Sequence, residues 1–228
     1  MSALAAYWRS TVGKKMVMAV TGLILFAYVL VHMLGNLQLF AGDGGKAINE
    51  YAAFLHSTRA APLLWGARIV LIACITLHVW AAIALTIQAW GARPVGYAKR
   101  KYREADYYAR TMIWSGPIIG AFVVYHVLHL TLGMGGAPFE ELNAYGNVIR
   151  GFAIPCVSAF YIVAVLMLMM HFRHGLWSWF QTIGWSHPAH DGARRCVANV
   201  LTAIVVIGDL SFPIAVLLKL VTIPGGAA

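Results

Sequence analysis

Four histidines stand inside long apolar runs of this 228-residue chain: His32, His78, His126 and His171. An imidazole surrounded by lipid or protein needs a partner, and a metal ion is one that neutral imidazole binds well. His171 is the sharpest case. It follows the uninterrupted apolar run Phe160 to Met170 and lies in Met-Met-His-Phe-Arg-His-Gly-Leu-Trp-Ser-Trp-Phe-Gln-Thr, residues 169 to 182.

The elements that must carry these histidines are membrane helices. Hydrophobic residues make up 61% of the chain and charged ones 11%, the composition of an integral membrane protein. Cys74, Cys156 and Cys196 lie far apart with no Cys-x-x-Cys spacing, which argues against iron–sulfur ligation and covalent haem attachment. The formal charge of +9 does not point to nucleic acid, because the basic residues cluster in short loops between apolar runs. The first run is too long for a signal-peptide core and no Ala-x-Ala site follows it, so the N-terminus is expected to stay on the protein.

Five apolar stretches reach the roughly 20 residues that a span requires. They fall at about 16–40, 62–90, 111–132, 152–179 and 195–223, within a single all-α transmembrane domain over 1–228. In the first loop, Ala47 to Ser57 reads as a short amphipathic surface helix. The loop 133–151 reads as Gly-rich and acidic, and Ser-His-Pro-Ala-His-Asp-Gly lies in the last connection. Arg9, Lys14 and Lys15, the run Arg93, Lys99, Arg100, Lys101, Arg103 and Arg110, and Arg173, Arg194 and Arg195 all fall on one side. Lys46, Arg59, Arg68, Arg150 and Lys219 fall on the other. The bias predicts a cytoplasmic N-terminus and an outer C-terminus.

With that topology His32 and His126 belong to the outer part of the membrane, and His78 and His171 to the inner part. The two levels differ by roughly 15 Å at 1.5 Å per helical residue. Two pairs on four helices could hold two b-type haems with bis-histidine axial ligation, His32 with His126 and His78 with His171. Such an arrangement would conduct electrons across much of the bilayer. The bland reading is that the histidines only bond neighbouring helices. A di-iron site is disfavoured because no span carries Glu-x-x-His.

Two ligand choices stay open, since His129 and His174 stand three residues beyond His126 and His171. The earlier member of each pair is preferred. His174 falls at the membrane boundary, where bonding a propionate or water is easier than ligating iron. His56, His187 and His190 fall in loops and are most simply solvated.

Four segments carry a family resemblance: Thr21-Gly22-Leu23 through His32-Met33-Leu34-Gly35-Asn36, Thr76-Leu77-His78, Tyr125-His126, and His171-Phe172-Arg173-His174-Gly175-Leu176-Trp177-Ser178. Through them the chain resembles the single-chain, five-helix, diheme cytochrome b anchor of succinate dehydrogenases and fumarate reductases. The resemblance implies that His32, His78, His126 and His171 ligate two haems b. It also implies a docked iron–sulfur subunit carrying a flavoprotein subunit, a quinone partner such as menaquinone, and a place in the bacterial cytoplasmic membrane. The chain would then be the non-catalytic, electron-transferring subunit of the enzyme. A cytochrome b subunit of another membrane dehydrogenase and a haem-free membrane anchor are the alternatives.

Quinone could meet this chain near Glu50 and His56 at the outer end, or near Lys14, Lys15 and Trp177 at the inner end. Arg173, with Lys14 or Lys15, could neutralise the propionates of an inner haem or simply anchor the inner boundary. Some fumarate-reducing relatives carry a glutamate two residues before the fourth-span ligand, where this chain has Met169, so that proton path is not expected. Asp209 is the one carboxylate deep in a span, a functional candidate or a partner for backbone freed by Pro213 or for a serine. Gly22, Gly35, Gly116 and Gly120 could allow close approach of helices or of a haem plane. Trp177, Trp179 and Trp185 fit an aromatic belt.

Overall fold

A computed structural model describes residues 7–92 and 107–225, which contain helices and no strand. The helices are α1 (Thr11–Asn36), extended by a 3-10 turn (Leu37–Phe40), α2 (Lys46–His56), α3 (Ala61–Gly91), α4 (Tyr107–Leu130), α5 (Ala144–Phe152), α6 (Pro155–Thr182) and α7 (Asp191–Leu217), the last entered through a 3-10 turn (Pro188–His190). Five of them, α1, α3, α4, α6 and α7, are long and apolar enough to cross a membrane. Their length follows from uninterrupted apolar sequence, because a backbone in lipid must satisfy its own hydrogen bonds.

Helix starts are written locally. Ser10 accepts a hydrogen bond from the Gly13 amide at 2.9 Å, Asp43 from the Ala47 amide at 2.8 Å, and Asn143 from the Gly146 amide at 2.9 Å. Ser10 and Asn143 are N-caps, each worth about 1 kcal/mol. Pro155 opens α6, where its missing N–H and fixed φ do no harm. The helices begin and end a few residues from the expected spans, with α1 starting at Thr11, α4 at Tyr107 and α6 ending at Thr182. The basic run Arg93 to Arg103 lies outside the described residues.

The loop 133–151 departs further from expectation, since its second half is the helix α5. Apolar residues buried along one side of that helix, Tyr145, Ile149 and Phe152, explain why it forms against the bundle. Asn49 of α2 ties the two short helices together, accepting from the Tyr145 amide at 2.9 Å and donating to Asn143 at 3.3 Å. The Tyr145 hydroxyl donates to the Thr222 carbonyl beyond α7 at 3.0 Å, and burial beside Asp43 raises that phenol's pKa. Gly45, at φ 92°, leaves the room that the Tyr145 ring fills. One end of the bundle is therefore capped.

The closest helix packings are α1 on α3, α4 on α6 and α6 on α7, with α1 lying against α6 and α7. The buried core divides by level. At the capped end Met33, Leu39, Ile48, Ile149, Tyr161 and Phe212 pack together, and towards the other end Phe26, Leu168, Phe172, Leu176 and Val205 do so. In α3 only Cys74 and Ala81 are buried, and in α4 only Ser115 and His129, so these two helices are peripheral.

Candidate functional site: two facing histidine pairs

Side chains on non-adjacent helices face each other at two levels. The His32 ring of α1 meets the His126 ring of α4 with centres 5.8 Å apart, and the His78 ring of α3 meets the His171 ring of α6 at 6.1 Å. The helices of each pair, α1 with α4 and α3 with α6, are not among the closely packed ones. Two imidazoles sharing one metal ion would stand about 6 Å apart, given about 2 Å per metal–nitrogen bond and about 1 Å from nitrogen to ring centre.

Hydrogen bonds assign the ring nitrogens. The Thr21 hydroxyl sits 2.7 Å from the Val17 carbonyl and must donate there, so at 3.2 Å from His78 Nδ1 it accepts. That puts the His78 proton on Nδ1 and the lone pair on Nε2. Ser115 repeats the arrangement more loosely, its hydroxyl 3.5 Å from both the Met112 carbonyl and His171 Nδ1. At the capped end the Asn36 amide nitrogen, which can only donate, stands 3.1 Å from His32 Nε2, and the Tyr161 hydroxyl lies 3.4 Å from His126 Nδ1. His32 thus also carries its lone pair on Nε2. Ligation there would require the Asn36 amide to release it.

The two levels are in register. On α1, Thr21 precedes His32 by eleven residues; on α4, Ser115 precedes His126 by eleven. Eleven residues close three helical turns, so each hydroxyl lies under its histidine on one face, about 16 Å along the axis. A single helix face therefore gives one pair a histidine and the other pair a hydroxyl beside its imidazole. Tyr161 does the same on α6, ten residues before His171. None of these three hydroxyls was singled out from sequence as an orienting group. Their signal was present as a Ser or Thr three turns before the histidine on both spans that run in the same direction.

His129 takes a different place from His126. It is buried, its Nδ1 lies 2.9 Å from the Tyr161 hydroxyl, and its ring stacks on Tyr125 rather than facing α1. His174 stays one turn beyond His171, which is the residue that faces His78. Glu50 is exposed and pairs with Lys46 at 3.9 Å, and exposed His56 turns Nδ1 to the Ala52 carbonyl at 2.9 Å. Neither approaches the histidine pairs through a contact of its own.

At the other end several basic residues are built into aromatic contacts. Lys14 is buried and donates to the Arg9 carbonyl at 3.1 Å, whereas Lys15 is exposed. Trp177 lies under Arg194 and Arg195, 5.1 and 4.4 Å from its ring centre, and Arg194 also holds the Trp185 carbonyl and Asp191. Arg173 packs over Tyr108 at 5.2 Å with its Nη1 buried and without a hydrogen-bond partner. A buried guanidinium donor of that kind suits an anionic group. Asp209 is half-buried in α7, and Ser211 gives its hydroxyl to the Gly208 carbonyl at 2.6 Å.

The glycines separate into two kinds. A Cβ on Gly22 would come within 3.1 Å of the His78 ring, and one on Gly35 within 3.1 Å of Tyr51, so these positions fit close neighbours. Gly116 and Gly120, on α4 between Ser115 and His126, face open space where a Cβ would meet nothing within 4 Å. Facing imidazoles and the buried Nη1 of Arg173, which has no hydrogen-bond partner, fit a haem held by two histidines.

Comparison with protein-family models, with curated proteins and with solved structures finds no match.

Proposed function

We propose that this chain is the diheme cytochrome b membrane-anchor subunit of a succinate:quinone oxidoreductase or fumarate reductase in a bacterial cytoplasmic membrane. It would pass electrons between a docked iron–sulfur subunit, itself carrying a flavoprotein subunit, and a membrane quinone such as menaquinone. The observation that carries this reading is the pair of facing imidazoles at each of two levels, 5.8 and 6.1 Å between ring centres. The choice of enzyme rests on the resemblance of the histidine-bearing segments.

His32 with His126 and His78 with His171 would hold the two haems, which supply reversible one-electron chemistry. The chain's own residues do the rest. Thr21 and Ser115 fix the rings of the second pair through Nδ1, leaving Nε2 for ligation. Arg173 offers a buried donor for a propionate, and the eleven-residue register keeps the two levels about 16 Å apart. Lipid surrounds the five spanning helices and separates this path from water.

The deciding experiment is a dithionite-reduced minus oxidised spectrum of the purified complex, with haem counted per polypeptide by pyridine haemochrome. Two haems b per chain are expected, both reducible by succinate when flavin and iron–sulfur subunits co-purify. Two haems that succinate cannot reduce would move the chain to another dehydrogenase. Well-expressed, haem-replete material without a Soret band would leave the histidines as helix-bonding groups in a haem-free anchor.

A further inference from the structure

The hydroxyl beside His126 differs in kind from those beside His78 and His171. Thr21 passes its proton to a backbone carbonyl, as Ser115 does at longer range. Tyr161 instead lies between two imidazoles, 3.4 Å from His126 Nδ1 and 2.9 Å from His129 Nδ1. If His126 ligates through Nε2, its Nδ1 bears a proton and must donate. The tyrosine oxygen accepts that proton's hydrogen bond, and its own single proton goes on to His129 Nδ1. Only one direction satisfies all three groups.

We infer that Tyr161 and His129 form a directed hydrogen-bond chain that strengthens His126 as a ligand and lowers the midpoint potential of the capped-end haem; the inference rests on the two-haem reading above. An imidazole acceptor polarises the tyrosine hydroxyl, which makes its oxygen a better acceptor for His126 Nδ1–H. A stronger bond at Nδ1 raises the basicity of the coordinating nitrogen, and a more basic ligand favours the oxidised iron. Tyr161 and His129 act through His126 and are positioning residues.

The surroundings hold the chain in one geometry. Tyr161 is 5% exposed and His129 is 4% exposed. The Tyr161 ring meets the edges of Phe152 and Phe122, with centres 4.8 and 5.0 Å away. His129 stacks on Tyr125 at 5.5 Å and lies where a Cβ on either Gly135 or Gly151 would overlap its ring. Two glycines on separate segments, the loop after α4 and helix α5, thus make the slot that aims Nδ1 at the tyrosine. A residue needed only to fill space would not require both its ring and its nitrogen to be placed.

The test is a redox titration of the purified complex carrying Tyr161→Phe, with the capped-end haem identified as the one lost in His126→Ala. Tyr161→Phe should retain both haems, raise the midpoint potential of the capped-end haem and leave the other unmoved. His129→Gln, which keeps the tyrosine but replaces its acceptor with a weaker one, should raise the same potential by less. Unchanged potentials in both variants, or equal shifts of both haems, overturn the inference. If Tyr161→Phe fails to load the haem, His129→Gln decides alone: a shift confined to one haem supports the chain, and no shift makes Tyr161 a packing residue. Absence of haem from the unaltered protein would instead strike the two-haem reading itself.

Discussion

The two ends of the bundle solve the same problem with different means. At the capped end, α2, α5 and the segment after α7 fold back over the helices, and Met33, Ile48, Tyr145, Phe152, Tyr161 and Phe212 form one core around the His32 and His126 level. Towards the other end the buried core among the described residues comes from α1, α6 and α7, through Phe26, Phe172, Leu176 and Val205, with Ile119 of α4 packed against it. Neither α3 nor α4 contributes a buried residue to that second core. The capped pair therefore sits beneath packed connecting helices and also takes Asn36 and Tyr161 from the spans, whereas the other pair is oriented by the Thr21 and Ser115 hydroxyls.

This contrast can be broken most severely at the ligands. His126→Ala is expected to remove one haem while the His78 and His171 pair keeps the other, and His171→Ala should do the reverse. Haem per polypeptide would fall from about two to about one in each single variant, in keeping with bis-histidine ligation. Retention of both haems in either variant would sink the pairing.

A smaller effect, confined to the capped half, is expected from Gly151→Ala. The added methyl would overlap the His129 ring, and overpacking of this kind costs about 1–3 kcal/mol. The midpoint of thermal unfolding in detergent should drop, and the spectrum of the capped-end haem should change before that of its neighbour. An equal disturbance of both haems would show that the two levels are not independent.

Thr21→Val probes the other half more gently. It removes the acceptor for His78 Nδ1 while keeping the shape of the side chain, a loss of about 1 kcal/mol. Both haems should remain, with a change in the low-spin resonance of the second haem only. The smallest effect is assigned to Lys46→Ala, because the Lys46 and Glu50 pair is exposed and such pairs contribute about 0–1 kcal/mol. A large loss of stability there would mean that α2 holds the cap through charge rather than through Ile48 and Asn49.

Much of this organisation was legible in residue order. Apolar length marked the five spans, and counting along them sorted the histidines into the pairs that face one another. The short helix α2 was expected at Ala47 to Ser57 and runs from Lys46 to His56. The helix α5 was missed because it is only nine residues long and follows the glycine-rich, acidic stretch through Glu140 and Glu141, so the loop 133–151 was read as one piece although Tyr145, Ile149 and Phe152 share one helix face. The choice between His126 and His129 was open in sequence for a related reason. Three residues separate them, so both lie near one helix face, and only the rotation of α4 against α1 and α6 turns one to His32 and the other to Tyr161.

What the sequence determined by itself is the set of properties that depend on local composition and on distance along a helix: span number, the levels of the histidines and the eleven-residue spacing of hydroxyl and histidine. Those follow from a fixed rise per residue and from the need of a backbone in lipid to bond within its own helix. What only the tertiary structure decided is the rotation of each helix about its axis, the folding of α2 and α5 onto one end, and the placing of the Tyr161 hydroxyl between His126 and His129. Rotation and capping depend on side chains far apart in sequence meeting at ångström distances, and no periodicity within a single span records them.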